Sequence, residues 1–196
     1  DGSLRDGIDG YRIDHMMDDL DHKGRLTNLF DDFWQPIFAA VRQRNPQARI
    51  VAEQADWGYG EDWLTRGRTD LVFAFPLRGA MIDLDKAKIV KALRETQAHT
   101  PQGKGQIVFL ENHDTDRFAS VVGSDPAKLR AGAAISLLVQ GAPLLYYGQE
   151  LGMTGKANEA LQSDAAHIPL REAFRWQADP AAPGAAIWYK SGQPVW

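Results

Sequence analysis

The sequence predicts an α/β protein built on a parallel sheet. Two observations carry that prediction. Short apolar runs alternate with longer amphipathic stretches, the pattern of right-handed βαβ units. The later apolar runs are continuous rather than alternating, as strands covered on both faces are. A third observation bears on function: most of these runs end in carboxylates, amides or histidines.

The first expected strand is "GYRID" (10–14). "LFDDFWQPIFAAVRQR" (29–44) places Phe30, Phe33, Trp34, Ile37, Phe38 and Val41 on one helical face. Asp31 or Asp32 is its expected cap, and Pro36 falls near the first turn, where a missing N–H is tolerated. "ARIVAE" (48–53) is the second strand, and "DLVFAF" (70–75) the third, after a Trp- and Gly-rich loop. "KAKIVKALRETQA" (86–98) is a helix through Ile89, Val90 and Leu93, and "QIVFL" (106–110) is the fourth strand. Asp125 and Pro126 open a helix as capping carboxylate and first-turn proline; it is expected to run to Gln140 and stop at Gly141. "PLLYY" (143–147) is the fifth strand. Beyond Gly148 neither period persists, and Pro169, Pro180, Pro183 and Pro194 interrupt the chain.

At 196 residues, 44% of them hydrophobic, the chain is long enough for one domain with a substantial core. A net charge of −4 offers no basic surface, so neither nucleic acid nor an anionic membrane is an expected partner. The absence of cysteine excludes disulfides and thiolate metal sites. The polar opening "DGSLRDG" shows no signal peptide. The most apolar stretch, 131–147, is broken by Ser136, Gln140, Gly141 and Pro143, which fits a buried helix and strand rather than a membrane span. A soluble protein is expected; the compartment is left unknown.

Arg12 and Asp14 sit on the first strand, Glu53 ends the second, and His113 and Asp114 follow the fourth. In a parallel α/β fold the carboxyl ends of the strands share one face, so three carboxylates are expected to converge, as in a (β/α)₈ barrel active site. Two carboxylates flanking one bond suit glycoside hydrolysis: one gives a proton to the leaving oxygen, the other attacks or stabilises positive charge. Arg12, two residues before Asp14, shares its strand face and would orient it. Taken singly, Asp14 reads as a turn or cap residue, Glu53 as a strand leaving the core, and His113–Asp114 as a loop pair. The set, with the alternation intact, is what points to chemistry.

"GYRIDHMMD", "VAEQ", "FLENHDTDR" and "GAPLLYYGQELGM" resemble, in order, four motif blocks of the α-amylase family, glycoside hydrolase family 13. The resemblance covers about residues 7–155. It implies a partial TIM (β/α)₈ barrel covering about strands 4 to 8, with residues 1–148 as that catalytic part and 149–196 as a long irregular excursion before the last barrel helix. It implies Asp14 as nucleophile, Glu53 as general acid/base and Asp114 as transition-state stabiliser. Arg12 would position Asp14, and His113 would bind the reacting sugar. His15 stands in the acceptor region after the nucleophile, and Trp57 and Tyr59 are candidate sugar-stacking residues; loop packing is an equal use for either ring. The implied reaction is retaining cleavage of α-glucosidic bonds in α-glucans or maltooligosaccharides, with Asp14 and Glu53 about 5–5.5 Å apart.

Where amylases often carry Ala-x-Lys-His after the nucleophile, this chain has His15, Met16, Met17 and Asp18, and Met16 and Met17 suit packing. No metal ligand is assigned; calcium is implied only for a full-length parent. The strand 3 motif is absent from "DGSLRDGIDG", so residues 1–196 are expected to be inactive on their own. A transglycosylase or isomerase of the same family, such as a glucanotransferase or trehalose synthase, uses the same chemistry with a sugar intercepting the intermediate. A non-catalytic barrel-derived binding protein is the third reading, and the presence of all three carboxylates argues against it.

Overall fold

The computed structural model describes residues 7–179 and 181–185; the opening residues 1–6, Pro180 and the stretch 186–196, Pro194 included, lie outside the described residues. Five strands follow one another: β1 (Gly10–Met16), β2 (Arg49–Gln54), β3 (Leu71–Phe73), β4 (Gly105–Val108) and β5 (Ala142–Pro143). They form one sheet in the order β1-β2-β3-β4-β5. The pairs from β1 through β4 are parallel. An unreversed order is the winding of a barrel; a doubly wound sheet reverses at its switch point.

Six α-helices lie among the described residues: α1 (Gln35–Arg44), α2 (Glu61–Thr65), α3 (Phe75–Ile82), α4 (Lys86–Ala98), α5 (Phe118–Val121) and α6 (Pro126–Leu138). The three long helices expected from the sequence correspond to α1, α4 and α6. α2 and α5 are too short to show a helical stripe, and "FPLRGAMI" of α3 is apolar without a period. Asp125 caps α6 as expected, accepting from the N–H groups of Ala127 and Lys128.

Three local expectations are corrected. Neither Asp31 nor Asp32 caps the helical run before α1. Its first N–H, that of Phe30, donates to Asp18 at 2.8 Å, so the capping carboxylate comes from twelve residues upstream. α6 ends at Leu138 rather than Gln140. The strand expected over 143–147 shrinks to Ala142–Pro143, and Leu145 is 55% exposed. Among the described residues β5 has a sheet neighbour on one side only, and a turn closed by Gln149 N–H donating to the Tyr146 carbonyl takes over.

The chain divides into two compact units, described in turn. The first comprises the described residues through Ala80, with Lys86–Val108 and Gln140–Ala142. Its core joins Met16, Phe30, Phe38, Ile50, Ala52, Leu64 and Val72, with Trp34 and Trp63 packed against them. Burying each large apolar side chain contributes about 1.5–3 kcal/mol. The two indoles also anchor backbone: Trp63 Nε1 donates to the Met16 carbonyl at 2.7 Å and Trp34 Nε1 to that of Met17 at 3.2 Å. The buried Gln54 amide stitches β2 to β3, accepting from Phe73 N at 3.1 Å and donating to Phe73 O at 2.5 Å.

The second unit comprises Met81–Asp85, Phe109–Val139 and the described residues from Pro143 on. Gly132 of α6 faces the buried ring of Phe118; a Cβ there would stand 2.4 Å from the ring. After Gly148, whose φ of 83° favours glycine, short 3₁₀ turns cover Gln149–Leu151 and Ser163–Leu170. Loop backbone is tied down between them: Arg117 N donates to Gly155 O at 3.0 Å and Ala157 N to Asp116 at 2.8 Å.

Candidate active site

In the first unit, the pairing of β1 with β2 slips by one residue. Ile13 faces Ala52 and Met16 faces Gln54, so Asp14 and His15 together oppose Glu53 alone. This is a β-bulge, a device that re-aims side chains at a strand's end. His15 takes a φ of 43° inside it. The bulge turns the His15 N–H onto Glu53 Oε2 at 3.2 Å.

Arg12 ties the cluster together. One terminal nitrogen of its guanidinium pairs with Asp14 and the other donates to Glu53 Oε2 at 2.7 Å. Glu53 Oε1 accepts from Trp57 Nε1 at 3.2 Å. The Trp57 indole in turn lies flat on Phe75, centroids 4.5 Å apart at 3°. The two carboxylates bridged by one cation sit in unequal surroundings: the Asp14 side chain is 75% exposed and that of Glu53 is 6% exposed.

Four of the other five expected site residues from this unit are thus brought to Glu53: Arg12, Asp14, His15 through its backbone, and Trp57. Tyr59 is engaged elsewhere. Its hydroxyl donates to Glu95 of α4 at 2.6 Å, and its ring stacks on His99 with centroids 4.6 Å apart. Burial first, then that hydrogen bond, pushes the Tyr59 phenol from 10.0 up to about 12.

In the second unit, Asn112 shapes the turn that follows β4. Its side-chain oxygen accepts from Asp114 N at 3.0 Å, and its own N–H donates to Thr115 Oγ1 at 3.0 Å. Asp114 meets His113 Nε2 at 2.9 Å, Arg171 at 2.6 Å and His167 Nδ1 at 3.2 Å. Arg171 Nε also donates to the His113 carbonyl at 3.0 Å. Arg171 and His167 were not legible in the sequence, since they lie in the stretch without periodicity; their spacing of four residues was the available signal.

Asp114, Asp164 and His167 bring ligand atoms within 4.8 Å of one another. The donor set does not fit calcium, which takes six to eight oxygen ligands. Arg171, 2.6 Å from Asp114 and 3.9 Å from Asp164, already supplies positive charge there. No helix among the described residues is long and apolar enough to cross a membrane.

The family model described as "Alpha amylase, catalytic domain" matches residues 3–193. Neopullulanase 2 of Thermoactinomyces vulgaris is 29% identical over 160 residues, 78% of this chain and 25% of that protein. Alpha-amylase 3 of Dictyoglomus thermophilum is 26% identical over 195 residues, 94% of this chain and 36% of that protein. Among solved structures, the alpha-amylase from H. orenii is 26% identical with a TM-score of 0.74, covering 95% of this chain and 38% of that one. The chain spans about a quarter of the length of the first curated relatives it matches.

Proposed function

Because the chain belongs to the alpha-amylase catalytic-domain family, its sheet corresponding to part of a TIM (β/α)₈ barrel, we propose that it carries the nucleophile and the acid/base of a retaining glycosidase acting on α-glucosidic bonds. The observation that carries this reading is the bridging of Asp14 and Glu53, at the ends of neighbouring parallel strands, by the single guanidinium of Arg12.

In this reading Asp14, the exposed carboxylate, attacks the anomeric carbon and forms the glycosyl-enzyme bond as the bond to the leaving oxygen breaks. Glu53, the sheltered one, gives its proton to that oxygen and then takes one from the incoming water. Two carboxylates divide such roles when their environments differ. Arg12 fixes their mutual placement, and Trp57 fixes Glu53. Asp114 and His113 hold sugar hydroxyls, the role implied by the Asn112–His113–Asp114 motif. The substrate class is an α-glucan or maltooligosaccharide. Hydrolysis is the proposed outcome; transfer to a second sugar consumes the same intermediate, and product analysis on maltooligosaccharides separates the two.

The test is made in the protein at full length. Glu53→Gln is expected to lower turnover roughly 10²–10⁴-fold on maltooligosaccharides. The loss in kcat/KM should be much smaller on α-glucosyl fluoride, whose leaving group needs no proton, while the water-attack step still lacks its base. Asp14→Asn should abolish turnover on both. Wild-type turnover in Asp14→Asn overturns the nucleophile assignment, as does inversion at the anomeric centre.

A further inference from the structure

We propose that Glu111 and Arg117 act as a positioning clip, holding the loop Asn112–Asp116 closed and so aiming Asp114. The inference rests on the reading of Asp114 as the transition-state stabiliser.

The two residues bracket the loop in sequence, and their side chains meet at its base. Arg117 donates to Glu111 Oε1 at 2.9 Å, and each side chain is 1% exposed. The same Arg117 nitrogen reaches the Tyr147 carbonyl at 2.5 Å. The guanidinium carbon lies 4.1 Å from the Tyr146 ring centroid and 4.7 Å from that of Tyr147. Arg117 Nε and its second terminal nitrogen are buried without a hydrogen-bond partner, and the two ring faces are the cation-favouring groups beside them. The second Glu111 oxygen accepts from Phe118 N, the first residue of α5, at 2.5 Å. Both ends of the loop are therefore pinned: to the segment after β5, to α5, and through Arg117 N to Gly155. Between them, the Asn112 turn and the Thr115 hydroxyl leave Asp114 little freedom.

A buried ion pair is a poor source of net stability, because its desolvation cost offsets the attraction; apolar replacements of both partners are often tolerated. What the guanidinium supplies is orientation: one nitrogen joins Glu111 to the Tyr147 carbonyl while its plane is held beside the Tyr146 and Tyr147 rings. The clip therefore acts on catalysis through the placement of Asp114.

The experiment compares full-length wild type, Asp114→Asn, the double variant Glu111→Gln/Arg117→Met and the single variant Arg117→Lys on a maltooligosaccharide, with melting temperatures recorded. The double variant should keep its fold and lose kcat roughly 10–100-fold, with KM nearly unchanged, since a small misplacement costs about that much. Arg117→Lys, which keeps the charge but not the planar group beside the Tyr146 and Tyr147 rings, should lose kcat in the same direction; it decides the matter if the double variant does not fold. In the Asp114→Asn background the clip substitutions should cost little more, a non-additivity that a merely structural role does not produce. Low turnover in Asp114→Asn alongside wild-type kcat in a folded clip variant overturns the inference alone. Full turnover in Asp114→Asn overturns the reading of Asp114 and the clip with it.

Discussion

At the residue scale, the same polar type serves different ends according to its neighbours. Asp14 and Asp18 are four residues apart on one segment. The first faces Arg12 beside Glu53, while the second caps the Phe30 N–H and pairs with Arg66 at 2.8 Å. Tyr59 shows the contrast in an aromatic residue. Its phenol is spent on Glu95, so Tyr59→Phe should leave turnover unchanged while removing one hydrogen bond, a loss of about 0.5–1.5 kcal/mol at neutral pH. The sign of its pH dependence follows from the raised phenol. The folded chain holds the Tyr59 proton to higher pH than the unfolded chain does. Its contribution is complete below pH 10.0 and disappears as pH rises through about 12. Denaturant titrations across that window should show a steeper loss of stability in wild type than in Tyr59→Phe; identical slopes would remove Tyr59 as the cause.

At the element scale, legibility depended on whether the determining contact was local. Strands β1 to β4 and helices α1, α4 and α6 were readable as elements, because apolar runs and the Asp125–Pro126 start are short-range patterns; the expected apolar faces were read less well, since Phe33, Ile37 and Val90 are exposed. The placement of Asp14, Glu53 and Asp114 at or just after strands was readable for a related reason: each ends or follows an apolar run. The bulge at Asp14–His15 was not, since it depends on pairing with β2. Nor were Glu111 and Arg117, whose spacing of six matches no helical or strand period, or Asp18 as a remote cap. The packing of α6 makes the same point in energetic form. Replacing Gly132 by Ala should gain up to about 1 kcal/mol in helix propensity. The added Cβ, however, meets the Phe118 ring at 2.4 Å and Leu110 at 3.2 Å. Overpacking of a buried ring costs about 1–3 kcal/mol. Gly132→Ala should therefore lower the melting temperature although it inserts a better helix former, and a rise would show that Phe118 relaxes freely. Since Glu111 caps the N–H of Phe118, this substitution is also expected to disturb the clip.

At the scale of the whole molecule, the sheet has two outer strands, and among the described residues nothing pairs the far side of β1 or β5. Unpaired strand edges are templates for association. Apolar side chains stand near one of them in the sequence: Leu138 is 84% exposed and Leu145 is 55% exposed. Exposed leucines scattered singly are ordinary, but grouped with an open edge they favour self-contact. A net charge of −4 over 196 residues gives only modest repulsion against it. The polypeptide of residues 1–196 should therefore show a mass that rises with concentration in sedimentation equilibrium. Leu138→Lys with Leu145→Lys should lower that mass toward the monomer value of 21.8 kDa. Because both side chains are mostly solvent-facing, the pair of substitutions should shift stability by no more than about 0.5 kcal/mol each. A concentration-independent monomer in the unsubstituted chain would show that the edges are protected by geometry. Association that persists unchanged in the lysine variant would place the self-contact away from α6 and β5.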